Sequence, residues 1–218
     1  METSQHYEVG GASIQTYHNG LQYKSKFCVE HAMKLSWLWV IALLGIVSLQ
    51  GCSGLTANTI SEGADKNLML KGHDPVAYFT DNKHVLGDAN IKMDHEGVTY
   101  RFSSEQHKAM FAQNPGRYAP QYGGFCANGI VYGIPWGGDP DTWRIVNDRL
   151  FIFGGEGSRR YWTMDEKKNL ELGDQYWQNE VKGSAPFWQR YKRLVFRVPH
   201  YKTGKALEAE WQARQTKN

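Results

Sequence analysis

Two dipeptides constrain the fold of this chain more than any other feature. Glu96-Gly97 stands between Ile91 to His95 and Val98 to Phe102, and Asn147-Asp148 stands between Trp143 to Val146 and Leu150 to Phe153. Each flanking run is short and rich in β-branched and aromatic residues, and residues such as Gly, Asn and Asp accept the positive φ that tight hairpin loops demand. Two hairpins are therefore predicted. Around them the pattern turns helical. Asp74-Pro75 reads as a helix cap and first helical position, giving one turn to Phe79. Ser103 and Gln106 stand in capping-box spacing ahead of Ala109, Met110 and Phe111, with Asn114-Pro115 as the stop. Ser158 is expected to cap a helix through Lys168, and another is expected from about Leu170 to Val181. Strands and helices in separate runs predict an α+β fold. The 41% of hydrophobic residues suffices for a core.

The N-terminal quarter follows a different logic. Leu35 to Leu49 is a run of fifteen residues without a charge, preceded by Met33-Lys34. As a helix it covers about 22 Å, short of the ~30 Å of a hydrocarbon core, so the run reads as a signal-peptide core over 33–51 rather than a permanent span. Residues 1–32 show no periodicity and read as an upstream mis-start or extension. The run closes on Leu49-Gln50-Gly51-Cys52, which resembles the lipobox of bacterial lipoproteins, although Gln50 is larger than that motif usually carries. The resemblance implies lipid on Cys52 and a membrane anchor in the bacterial envelope. Ser53, not being Asp, implies the outer membrane, facing the periplasm. Residues 52–67 are small and polar and are expected to be a flexible tether, with a domain over 68–153 and a helical, basic extension over 154–218.

Charge is unevenly placed. The net charge is +3, yet residues 183–218 carry eight Lys and Arg against Glu208 and Glu210. Interleaved with them are Trp188, Tyr191, Phe196, Tyr201 and Trp211. Such a composition is able to stack on bases. An exported chain seldom meets nucleic acid, so the reading is an envelope partner or a membrane surface, where each basic residue near anionic head groups is worth about 1 kcal/mol. No phosphate-cradling loop, nucleophile elbow, two-histidine helix motif or Rossmann fingerprint is present, and a binding module is expected rather than an enzyme.

Several motifs fall together: Gly72-His73-Asp74-Pro75-Val76-Ala77-Tyr78-Phe79, Tyr100-Arg101-Phe102-Ser103-Ser104, and Tyr118-Ala119-Pro120-Gln121-Tyr122-Gly123-Gly124-Phe125-Cys126-Ala127. From about Leu68 to Phe153 the chain resembles the YHS domain family, in its exported bacterial branch. The resemblance implies a metal role, with thiolate suited to copper or zinc. Where metal-binding relatives carry cysteines, however, this chain has Val76-Ala77 and Ser103-Ser104. Relatives described as YHS selenoproteins carry selenocysteine in the place of Cys126, which implies that this thiol contacts metal or does redox chemistry. Cys28 lies before the expected start and Cys52 is assigned to lipid, so Cys126 is the thiol left for function.

Three readings stay open: metal held by Cys126 with His73, Cys126 as a redox nucleophile activated by His73, His107 or Arg117, and an interaction protein in which Cys126 is packed. His95 and His107 are expected at the surface. Tyr78, Tyr100, Tyr118 and Tyr122 are expected in the core.

Overall fold

The computed structural model describes residues 56–217. The expected upstream segment 1–32, the expected signal peptide over 33–51 and Cys52, the residue expected to carry lipid, fall outside the described residues, as does Cys28. Among the described residues the fold is α+β, with two small sheets and eight helices.

Both hairpins form. Strand β3 (Asp88–His95) pairs antiparallel with β4 (Val98–Phe102), and β5 (Asp139–Val146) pairs with β6 (Arg149–Phe153). At both turns the two loop residues have positive φ, Glu96 50° with Gly97 77°, and Asn147 51° with Asp148 58°. Glu96 bears a Cβ there, and the twist of the flanking strands sustains it.

The expected tether is corrected from residue 59 onward. Thr59–Glu62 forms β1 and Asp65–Met69 forms β2, giving a four-stranded sheet in the order β1-β2-β4-β3 with β2 and β4 parallel. Asp65 is what makes this polar stretch a strand. Its carboxylate is buried and accepts from Lys92 Nζ at 2.6 Å and from Arg101 Nε and Nη2 at 3.0 and 2.8 Å. Hydrogen bonds from Lys92 and Arg101 outweigh the cost of burial and hold this carboxyl below the usual range.

Helix boundaries shift where capping competes with tertiary contacts. The Asp74-Pro75 turn yields α1 (Ala77–Thr80), and α2 (Glu105–Gln113) is capped by Ser104, whose hydroxyl accepts from the His107 amide at 3.1 Å. Ser103 is occupied with Asp74 instead. Asn114 ends α2 and caps α3 (Pro115–Tyr118). Ser158 is not a cap: α5 (Glu156–Thr163) starts after Gly155, and α6 (Glu166–Tyr176) runs into a wide turn at Trp177–Val181. Helices α4 (Ala127–Ile130), α7 (Pro186–Val195) and α8 (Gly204–Gln215) complete the set.

Alternation along β6 explains how the core is divided. Leu150 and Ile152 join Phe102, Phe111 and Tyr78 in one apolar cluster, while Phe151 and Phe153 join Phe125, Ile130 and Trp162 in the other. Successive side chains of a strand point to opposite faces, so a single strand serves both clusters. Trp162, fully buried, thus makes the helices after residue 153 a wall of the second cluster rather than an appendage. The four tyrosines are buried, and Tyr122 Oη donates to Asp174 at 2.9 Å.

Candidate functional site

Cys126 follows Tyr122, Gly123 and Gly124, all at positive φ, a reversal that lets the backbone pass close to its neighbours. A Cβ on Gly123 would lie 2.5 Å from the Thr56 carbonyl oxygen, which shows how tightly the chain is drawn in here. Beyond the turn, the Cys126 amide donates to Trp136 O at 2.9 Å, and its carbonyl accepts from Gly129 N at 2.8 Å. The residue is 2% exposed within the second cluster. Its Sγ faces the Gly154 backbone, 3.6 Å from where a Cβ would stand, and makes no hydrogen bond among the described residues. A reactive thiolate needs access and a cation or donor beside it. The cations proposed for that task are engaged elsewhere. Arg117 Nη2 pairs with Asp148 at 3.1 Å, and His107 with Asp74 at 2.7 Å.

His73 sits in a different setting. Its Nδ1 donates to Leu70 O at 2.9 Å, since a carbonyl only accepts, and Nε2 faces Asp141 Oδ1 at 3.7 Å. His84 Nε2 approaches the same oxygen at 3.9 Å, and the two rings lie 6.0 Å apart. Both approaches exceed hydrogen-bond length. Among the described residues no group of three or more His, Cys, Asp or Glu is arranged to hold a metal ion. The described residues around Cys126 and His73 therefore do not by themselves form a closed copper or zinc centre, which needs several converging donors.

The polar centre that the sequence analysis missed is Asp74. Fully buried, it accepts from Val76 N at 2.8 Å through one oxygen. The other oxygen accepts from Ser103 N at 2.8 Å, Ser103 Oγ at 2.6 Å and His107 Nδ1 at 2.7 Å. His107, expected at the surface, is thus turned inward. Its Nε2 reaches Thr80 Oγ1 at 3.4 Å, an order of groups found in hydroxyl activation. Here the Thr80 hydroxyl also bonds Val76 O at 3.2 Å, inside its own helical turn. The network ties the Asp-Pro turn to the start of α2, and its chemistry is that of a clamp.

A fourth feature lies on the surface. Helix α7 is inverted: Gln189, only 4% exposed, points inward and donates to Gly133 O at 2.9 Å, while Arg190 Nε donates to Pro135 O at 2.8 Å. Arg193 pairs with Glu180, which Lys192 also reaches at 2.9 Å. Burial raises the Glu180 pKa, but these cations outweigh it and hold the carboxyl below its usual range. The outward face carries Phe187, Trp188, Tyr191, Leu194 and Val195, with Phe196 following, each between 55% and 68% exposed. Spacings of three and four residues put them on one side.

The chain matches no family model, no curated protein and no solved structure. In the fold the motif residues serve as the Asp74 clamp, the Gly123-Gly124 reversal and the tyrosine core.

Proposed function

We propose that this is a lipid-anchored protein of the bacterial envelope that works by docking rather than by bond-making chemistry, with a YHS-like body as scaffold. The observation that carries this reading is the inversion of α7. A helix that turns Gln189 inward while presenting Phe187, Trp188, Tyr191, Leu194 and Val195 has a surface suited to something outside the fold, since contiguous exposed apolar patches mark interaction sites. The packed, unpartnered setting of Cys126 supports the same reading, as a thiol of this kind is a small core residue. Anchoring is assigned to lipid on Cys52.

The test is a titration of the purified protein with copper and zinc, comparing the native chain with Cys126→Ala. Weak, identical binding by both is the expected result. Tight stoichiometric binding that Cys126→Ala abolishes would overturn the docking reading in favour of a metal module.

A further inference from the structure

Two observations meet at the N-terminal end of α7. The first described residue, Thr56, donates its hydroxyl to Ser184 O at 2.9 Å, two residues before Pro186 opens the helix. Asn58 secures that position: its amide donates to Gly123 O at 2.8 Å and its side chain to Gly124 O and Gly138 O at 3.1 and 3.2 Å. Cys52 stands four positions before Thr56 in the sequence, and four positions of chain reach at most about 14 Å. A lipid on Cys52 would therefore be joined to the chain four positions before the residue that bonds Ser184, just ahead of α7.

The face itself has the composition of an interfacial helix. Trp188 and Tyr191 combine an apolar body with a polar tip, Phe187, Leu194 and Val195 add depth, and exposed Lys182 and Arg197 flank them. Arg190 bonds only a carbonyl and Arg197 lies over the Tyr201 ring, contacts that leave both positive charges in place. Ten residues make a helix about 15 Å long, half of what a crossing requires, and no described helix is long and apolar enough to span a membrane.

We infer that α7 lies in the plane of an anionic phospholipid surface, with its Phe187–Trp188–Tyr191–Leu194 side inserted and Lys182, Arg190 and Arg197 against the head groups. This rests on the docking reading and names its partner. Anchor and helix then act as two contacts of one attachment, the helix adding an apolar and basic contact to the lipid.

The chain from Ser53, which forms one compact unit, is the test material, because it lacks the anchor. It is sedimented with vesicles of phosphatidylglycerol and phosphatidylethanolamine, and separately with phosphatidylcholine vesicles. Binding to the anionic vesicles is expected, falling at least ten-fold with Phe187→Ser plus Leu194→Ser and several-fold with Arg197→Gln or added salt. Brominated acyl chains are expected to quench a tryptophan signal that Trp188→Phe removes. Near-ultraviolet circular dichroism verifies that each variant is folded. Absence of vesicle binding, binding indifferent to these substitutions, or a dimer that hides Trp188 without binding vesicles would each overturn the inference. The metal titration reports separately on the docking reading, and the mass of Cys52 in envelope extracts reports on the anchor.

Discussion

Helices α2 and α7 are nearly equal in length and opposite in address. In α2, Phe111 is fully buried with its ring 4.6 Å from Tyr100 and 5.3 Å from Phe102, His107 reaches in to Asp74, and Lys108 and Glu105 pair outside at 3.4 Å. In α7 the hydrogen-bonding groups face the body and the rings face away. The apolar side chains of α2 are accounted for by the fold, because removing such surface from water drives folding at roughly 25 cal/mol per Å². Those of α7, more than half exposed, gain far less of that kind from the body. The difference teaches that α7 is held to the body by polar contacts with Gly133, Pro135 and Glu180 rather than by burial of its apolar side.

The comparison breaks if truncating the two helices has similar effects. Phe111→Ala is expected to cost about 3–5 kcal/mol in urea unfolding, the usual result of opening a cavity beside aromatic neighbours. A loss below 1 kcal/mol would mean that the α2 face is loosely packed. An intermediate effect sharpens the role of polar burial. Asp65 is held below the ordinary carboxyl range, so as pH falls the unfolded state takes up the proton first. Its stabilising contribution is complete above about pH 5 and is lost as pH drops through the folded-state value. Urea midpoints measured from pH 6 to pH 2 should fall less steeply for Asp65→Asn than for the native chain, and parallel curves would remove Asp65 from the account. The smallest effect belongs to α7: Trp188→Ser should move stability by no more than about 0.5 kcal/mol, because the side chain is 65% exposed. A larger loss would turn the outward face into part of the folded core.

The hairpins were legible because their loop residues report a backbone need that few other residues meet. Strands β1 and β2 were not, because Ser61, Glu62, Asp65 and Lys66 look like linker and become strand only through Arg101 and Lys92, which lie far along the chain. His107 was misplaced for a related reason: its partner Asp74 stands 33 positions away, and helical periodicity is silent on distant carboxylates. The capping shift from Ser103 to Ser104 follows from the same competition, since Ser103 bonds Asp74. For α7, the sequence showed aromatic residues interleaved with basic ones in a helical extension, a pattern silent on which way either set faces. Cys126 was singled out by elimination and by resemblance, and its packing against Gly154 depends on a glycine 28 positions onward that bears no mark of that role.

The outer strands of the four-stranded sheet carry a further consequence. Strand β1 is four residues long, ends in Ser61-Glu62 and shifts register between Ile60 and Glu62, and β3 shifts register between Asp88 and Lys92. An unpaired strand is a template for another chain when it is long, flat and apolar. Neither border of this sheet is. Molecules crowded side by side at high local density would therefore find no ready seam along this sheet on which to stitch into fibres.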